Sequence, residues 1–203
     1  MLFDWSVGAR LALDRVLKYL RCTSDFSIGG YRTKEDIVKY YSDSDLAGDS
    51  EVTNLSRTGT MIILNGIPVS WKSHLQGKEG RGIAVSSAVA EIYALYESGK
   101  VCQDYTWRAN ETNMTLKTPI VIFVDNDQAI SFTNSTCTNS RLRGSISRKQ
   151  AWVQELKSGG LLTPKYINTK NNLADIMTKA LREGRHSDLI KQIQREKTSA
   201  EGE

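Results

Sequence analysis

Cysteine and histidine are scarce in this chain of 203 residues. The three cysteines, Cys22, Cys102 and Cys137, are odd in number and widely spaced, which argues against a disulfide framework or a zinc site. Only two histidines are present, His74 and His186, which argues against a histidine metal site or a Ser–His catalytic pair. This cysteine usage is typical of a protein in a reducing compartment.

Long hydrophobic runs are also missing. No uncharged apolar run approaches the roughly 18 residues that indicate a membrane-spanning helix, and the N-terminal residues do not resemble a signal peptide. We therefore expect no membrane partner. Apolar residues make up 39% of the chain and charged residues 25%, which excludes a wholly disordered chain. The length predicts one domain with at most a small appendage.

Positive charge is concentrated in one part of the chain. The formal net charge is only +4, but residues 138–170 include seven basic residues and a single acid, Glu155. A local basic surface favours a polyanionic partner. A solvated helix face explains the same charges, and on charge alone we prefer that explanation.

Hydrophobic periodicity and turn residues predict the secondary structure. Leu13, Val16, Leu17 and Leu20 form one apolar stripe of a helix, and Asn-Gly at 65–66 between two β-like runs is a strong hairpin signal. The predicted elements are a helix over 5–20, strands over 37–45, 58–64 and 67–72, a helix over 86–112, a strand over 120–124, a helix from 125, a helix over 146–157, a strand over 161–167, a helix over 173–181 and a charged tail that is helical to about 195.

This element order predicts an α/β fold. Three strands in an antiparallel meander, followed by strands that alternate with helices, give a five-stranded mixed sheet with parallel strands and flanking helices. We expect Ser87 to cap the long helix, and either Asp125 or Asn126 to cap the helix after the fourth strand. Trp71 is expected in the core, since a tryptophan in a strand usually packs.

Four acids lie at the ends or starts of these elements. Asp43 ends the first strand, Glu91 lies one turn into the long helix, Asp125 ends the fourth strand, and Asp175 begins the helix after the fifth. Taken singly, each is explained by a turn, a solvated helix face, a helix cap or a helix dipole. If the first and fourth strands are neighbours, however, Asp43 and Asp125 meet, and a helix on the sheet can bring Glu91 to them.

Carboxylates gathered in this way repel one another unless cations bind between them. Hard oxygen ligands select Mg²⁺, with Mn²⁺ as an alternative. Two such ions about 3.5–4 Å apart support in-line displacement at phosphorus, because they activate a water and stabilise the leaving oxygen. This chemistry requires neither histidine nor cysteine.

Several segments in order give the chain a family resemblance. Tyr-Ser-Asp-Ser-Asp-Leu-Ala-Gly at 41–48 and Leu-Ala-Asp-Ile-Met-Thr-Lys at 173–179 are similar to motifs of the ribonuclease H domain in copia-type retrotransposon polyproteins. The other matching segments are 14–20, 56–59, 69–73, 86–95 and 124–130. The resemblance covers about residues 5–182. It implies a ribonuclease H-like domain over 36–182, a connection from the reverse transcriptase over 1–30, and a charged C-terminal tail over 183–203.

The resemblance also implies an activity. Asp43, Glu91, Asp125 and Asp175 would bind two Mg²⁺ ions and cleave the RNA strand of RNA–DNA hybrids during reverse transcription. Asp45 points to the same strand face as Asp43, and only the resemblance selects Asp43. The implied partners are the hybrid and the reverse transcriptase domain of the same polyprotein. The implied location is intracellular, in a cytoplasmic particle, with the nucleus as a further site.

Hybrid binding would rest on phosphates and 2′-hydroxyls rather than on base edges. The basic segment is the natural place for phosphate contacts. The nucleic-acid-binding candidates are Asn126, Ser86, Lys72, Arg141, Arg143, Arg148 and Lys149.

Departures from the family pattern leave alternatives open. Residues 143–147 read Arg-Gly-Ser-Ile-Ser, where many family members have a histidine. The domain could therefore be a catalytically weak or inactive nucleic-acid-binding remnant. An integrase-type enzyme is less consistent with the sequence, because its glutamate would come last. A retroelement remnant with no present role is a further alternative. The chain also lacks a Tyr-x-Asp-Asp polymerase motif, so we expect it to be a piece of a polyprotein lying after the polymerase.

Overall fold

The computed structural model describes residues 6–30, 36–48, 54–77, 84–134 and 145–195. Its helices and strands follow the predicted order. They are α1 (Val7–Cys22), β1 (Val38–Asp45), β2 (Arg57–Leu64), β3 (Ile67–Leu75), α2 (Ser87–Glu111), β4 (Ile120–Val124), α3 (Asp127–Asn134), α4 (Ser145–Ser158), β5 (Leu162–Tyr166), α5 (Asp175–Thr178) and α6 (Glu183–Arg195).

The five strands form one mixed sheet, which confirms the predicted fold class. Their spatial order is β3-β2-β1-β4-β5. The first three strands pair antiparallel, while β4 pairs parallel with β1 and with β5. The β2–β3 turn has φ of 49° at Asn65 and 83° at Gly66, the left-handed conformations that an Asn-Gly hairpin favours.

The sheet has a different set of helices on each face. Tyr40, Ile62 and Ile122 belong to the core shared with α2, α3 and α4. Tyr41 and Met61, one position along their strands, belong to a second core with residues near α5 and with Leu189 of α6. The alternation of strand side chains therefore places Tyr41, and with it Asp43, on the face covered by α5 and α6.

Three local predictions from the sequence are wrong. Trp71 is 60% exposed rather than in the core, because β3 is an edge strand whose side chains are mostly exposed. Ser86, not Ser87, caps α2, with its Oγ accepting a hydrogen bond from the amide of Val89. The late helix spans only Asp175–Thr178, because Asn172 holds the chain in a turn before it, accepting from the Ala174 amide.

The first helix has no buried side chain. Its stripe of Leu13, Val16, Leu17 and Leu20 is 42–57% exposed. Within the described ranges, no helix is long and apolar enough to cross a bilayer. The predicted division into a connection over 1–30, a domain over 36–182 and a tail over 183–203 stays a prediction. Leu189 of the predicted tail is fully buried and packs in the second core.

Gly59 marks the place where β2 and the short helix α5 touch. A Cβ at this position would lie 2.6 Å from Thr178 Cγ2, 2.8 Å from Met177 Cβ and 2.9 Å from the carbonyl oxygen of Ala174. Two of these atoms belong to or adjoin the backbone, so they cannot move aside cheaply. A glycine is therefore required for α5 to lie against the sheet.

We expect Gly59→Ala to destabilise the protein by roughly 1–3 kcal/mol, the usual cost of overpacking a filled site. Gly184→Ala is the matched control, because a Cβ there meets nothing within 4 Å. It should not destabilise the protein, since Gly184 lies in α6 and alanine favours a helix more than glycine does. Urea unfolding of both variants makes the comparison. Equal stabilities would contradict the close approach of α5 to β2.

Candidate active site

Asp43 is fully buried near the end of β1. The hydroxyl of Thr178 donates to its Oδ2, and the ammonium of Lys179 lies 3.2 Å from the same oxygen. The nearby Asn172 side chain donates to the carbonyl oxygen of Ser42 at 3.0 Å, which ties the segment before α5 to β1. The carboxylate is thus held by groups from the segment 172–179.

Glu91 approaches the same point from the other helical layer. It lies in the second turn of α2 and is 5% exposed. Its Oε1 accepts a hydrogen bond from the backbone amide of Ser44 at 3.1 Å. Its Oε2 is buried and accepts no hydrogen bond from any residue that the structure describes. One oxygen of Glu91 is therefore anchored, and the other is a buried acceptor without a donor.

Asp125 completes a group of three carboxylates. The parallel register of β1 and β4 pairs Tyr41 with Phe123. Asp43 and Asp125 each lie two residues after this pair, so they lie beside each other. Asp43, Glu91 and Asp125 each offer one oxygen, and these oxygens all lie within 4.8 Å of one another. Asp43 and Glu91 are buried and Asp125 is half-buried. Because carboxylates this close repel each other, the group requires protons or a bound cation.

The donor set of this group fits a divalent metal ion. All the donors are carboxylate oxygens, which suit the hard cations Mg²⁺ and Mn²⁺. The buried, unpartnered Oε2 of Glu91 is the kind of acceptor that a cation would satisfy. With oxygens within 4.8 Å of one another, the three residues would be able to hold such an ion.

Burial sets the protonation of two of these acids. Burial raises the pKa of Asp43 to about 6, with Lys179 and the Thr178 hydroxyl opposing the rise. Burial, followed by the charges of Asp43 and Asp125, raises the pKa of Glu91 to about 8. In the absence of metal the group is therefore partly protonated near neutral pH, and a cation must displace protons to bind.

Asp175, the fourth predicted acid, lies beside this group but is not one of its three members. Its Oδ1 is 2.9 Å from the ammonium of Lys179, and its Oδ2 is 2.8 Å from a guanidinium nitrogen of Arg185. The Arg185 guanidinium also donates to the carbonyl oxygens of Thr169 and Lys170. Both oxygens of Asp175 are thus paired with cations.

Lys179 and Arg185 are site residues that the sequence interpretation missed. Lys179 was visible as the last residue of the motif at 173–179, four positions after Asp175, the spacing at which helical side chains meet. Arg185 lies in the segment predicted to be a tail, and no local pattern connects it to Asp175. Asp45, the neighbour that left the first acid ambiguous, is half-buried and outside the group of three carboxylates.

The predicted nucleic-acid-binding residues that the structure describes belong to different elements. Asn126 and Ser86 both use their side chains as helix caps, on α3 and α2 respectively. Lys72 is exposed on the edge strand β3, and Arg148 is exposed on α4. Lys149 places its ammonium 4.2 Å from the centre of the Tyr96 ring. Arg141 and Arg143 lie outside the described residues, and binding by all seven stays a prediction.

Known proteins resemble this chain in sequence and in fold. A retrovirus-related Pol polyprotein from transposon RE2 of Arabidopsis thaliana is 30% identical over 170 residues, 84% of this chain. One from transposon TNT 1-94 of Nicotiana tabacum is 30% identical over 172 residues, also 84% of this chain. The chain spans only 11–12% of the length of these polyproteins.

A shorter sequence match and a match in fold were also found. A secreted RxLR effector protein of Plasmopara viticola is 38% identical over 104 residues, 51% of this chain and 68% of the effector. The N-terminal RNase H domain of a Mycobacterium tuberculosis protein has a TM-score of 0.50 at 11% identity, covering 79% of this chain and 98% of that domain. No protein-family model matches the chain.

The mixed sheet, its strand order and this likeness define a ribonuclease H-like fold. The two long matches then give the family. The chain belongs to the Pol polyproteins of copia-like retrotransposons and corresponds to a segment of them with this fold. The family predicted from the motifs is thereby confirmed.

The raised pKa of Glu91 predicts how stability depends on pH in the absence of metal. Its folded pKa of about 8 lies above the ordinary value of 4.5, so the unfolded chain loses this proton first. Stability should fall as pH rises from about 4.5 to about 8. Glu91→Gln removes this titration, and at pH 8 in chelator it should be more stable than wild type, by on the order of 2 kcal/mol.

Thermal unfolding at pH 5 and pH 8 in EDTA measures this difference. Glu97→Gln, two turns further along α2, is the matched control and should follow the wild-type pH dependence. If Glu91→Gln lost as much stability as wild type between the two pH values, Glu91 would not be the buried acid described above.

Proposed function

We propose that the chain hydrolyses the RNA strand of RNA–DNA hybrids in a metal-dependent reaction during retrotransposon reverse transcription. The observation that carries the proposal is the group of Asp43, Glu91 and Asp125, whose oxygens lie within 4.8 Å of one another. The membership in Pol polyproteins supports the setting in reverse transcription.

Asp43, Glu91 and Asp125 would hold a divalent ion, and Asp175 would contribute to a second. When bound, Mg²⁺ or Mn²⁺ would activate a water and stabilise the charge that develops at the phosphate. Glu91 and Asp43 must be deprotonated for this, and their pKa values of about 8 and 6 make loading easier as pH rises.

The chain's own residues position the carboxylates. The Ser44 amide fixes one oxygen of Glu91, and the Thr178 hydroxyl fixes one oxygen of Asp43. These residues lie on a strand or a helix rather than in a long loop, so little reorganisation would be required when substrate binds. The same burial that raises the acids' pKa values strengthens every charge interaction in the site.

The substrate would be recognised by its backbone. Phosphate contacts from basic side chains, including the exposed Lys72 and Arg148, would give affinity without base specificity. Contacts to 2′-hydroxyls would distinguish the RNA strand. Activity that depends on phosphate contacts should also decline steeply with salt.

The reverse transcriptase domain of the same polyprotein is the proposed protein partner. The stripe Leu13, Val16, Leu17 and Leu20 on α1 is exposed, and an apolar helix face of this kind is typical of an interface. Together with the reverse transcriptase, the protein would act inside the cell, in a cytoplasmic particle. The nucleus is a further proposed location.

A second candidate function is hybrid binding without efficient cleavage. The pairing of Asp175 with Lys179 and Arg185 favours it, because an acid whose two oxygens are both ion-paired offers less to a second metal ion. In this case the fold would retain nucleic acid and lose turnover.

The test is cleavage of a labelled RNA–DNA hybrid by the purified chain in Mg²⁺. We expect cleavage of the RNA strand, loss of at least about 100-fold in Asp125→Asn, where a metal-binding carboxylate is removed, and none in EDTA. Asp127→Asn, two residues further along at an exposed position of α3, is the matched control and should keep full activity. Duplex RNA is the substrate control.

The outcomes separate the two functions. A folded chain that binds the hybrid but does not cleave it would support the binding domain. Cleavage that persists in Asp125→Asn would contradict the proposed site.

A further inference from the structure

Lys179 lies between two carboxylates that come from different parts of the fold. Its Nζ is 3.2 Å from Oδ2 and 3.4 Å from Oδ1 of Asp43 on β1. It is also 2.9 Å from Oδ1 of Asp175 on α5. The two acidic side chains are 1% and 4% exposed, whereas the lysine side chain is 32% exposed. One partly exposed cation therefore bridges two buried anions.

This bridge has an electrostatic reason. The carboxylates of Asp43 and Asp175 are both within 3.2 Å of one ammonium nitrogen, so they lie near each other and would repel without a cation. Arg185 pairs with the other oxygen of Asp175, Oδ2, whereas the ion pair of Asp43 within the described residues comes from Lys179. Lys179 is thus the cation shared by both acids.

The lysine takes up ligands that a metal ion would use. Asp43 also belongs to the group with Glu91 and Asp125, so it lies at the junction between that group and Asp175. A divalent ion held by Asp43 and Asp175 would require oxygens that now contact the ammonium. Two cations cannot share these oxygens without mutual repulsion.

We propose that Lys179 is a built-in counter-cation that competes with a divalent metal ion for Asp43 and Asp175. The inference rests on the proposed metal-dependent function. It implies ordered loading, in which the group of Asp43, Glu91 and Asp125 binds an ion first. A second ion enters between Asp43 and Asp175 only when the ammonium moves away. The partial exposure of the lysine side chain and its flexible stem provide a route to solvent.

The experiment is a Mn²⁺ titration of the full chain without nucleic acid, with free Mn²⁺ followed by electron paramagnetic resonance. Over the range of free Mn²⁺ concentration in which Lys179→Met binds two ions per chain, wild type should bind one. The second ion should bind at least about ten-fold more tightly in Lys179→Met, the effect of removing one unit charge at short range. Lys179→Arg, which keeps the charge, should bind as wild type does.

Lys191→Met is the matched control. It removes one positive charge from an exposed position on α6 and should leave the wild-type isotherm unchanged. Identical binding curves for Lys179→Met and Lys191→Met would overturn the proposal, whatever the number of ions bound.

A second measurement covers the case in which Lys179→Met does not fold, since it leaves buried carboxylates without their partner. Reductive ¹³C-methylation of wild-type lysines gives each a resonance. Lys179 is identified by the signal missing in Lys179→Arg, and Lys191 by the signal missing in Lys191→Met. Mg²⁺ should shift the Lys179 resonance and leave that of Lys191 in place. A Lys179 resonance that stays in place at saturating Mg²⁺ would overturn the competition.

The binding curves also distinguish this inference from the proposed function. If wild type bound one ion and cleaved no hybrid, the proposed enzymatic function would fail. The Mn²⁺ binding curves of Lys179→Met and Lys191→Met would still show whether Lys179 competes with the ion. If hybrid were cleaved and Lys179→Met bound ions as wild type does, only the inference would fail.

Discussion

The parallel pairing of β1 with β4 is the constraint on which the site depends. It joins two segments about 80 positions apart in the chain and sets Tyr41 opposite Phe123. Two residues further along lie Asp43, near the end of β1, and Asp125, directly after β4. A shift of one residue in this register would turn one acid to the opposite face of the sheet. The buried side chains of Tyr40 and Ile122 fix the register, so the core determines where the charges lie.

Bringing acids together creates an electrostatic cost that the protein offsets in two ways. On the α2 side, burial raises the pKa of Glu91 to about 8, so a proton takes the place of a cation. On the α5 side, Lys179 and Arg185 supply positive charge to Asp43 and Asp175. Burial alone would lower the pKa of Lys179, but the carboxylates of Asp43 and Asp175 more than offset it, and its pKa is raised. The negative charges of the site are therefore compensated in the absence of metal. A metal ion would replace the proton on Glu91 when it binds.

The sequence predicted the elements better than their contacts. Periodicity and the Asn65–Gly66 turn located the strands of the meander, because these signals are local. The neighbourhood of β1 and β4 could be stated only as a condition, since the pairing of distant strands leaves no local signal. The exposure of Trp71 followed from the edge position of β3, which only the assembled sheet shows.

The same distinction applies to the site. Asp43, Glu91 and Asp125 were identifiable because each lies near the end or the start of a regular element. Asp175 was also identified, but its engagement by Arg185 depends on how α6 folds back across Thr169 and Lys170. That contact arises from tertiary packing around the buried Leu189, and the local pattern of residues 183–195 indicated only a charged helix.

The most direct test of the central claim, that three carboxylates form a metal site, is anomalous diffraction from crystals of the chain grown with Mn²⁺. We expect an anomalous peak in contact with oxygens of Asp43, Glu91 and Asp125. A peak elsewhere, with these three carboxylates in contact only with protein groups at saturating Mn²⁺, would contradict it.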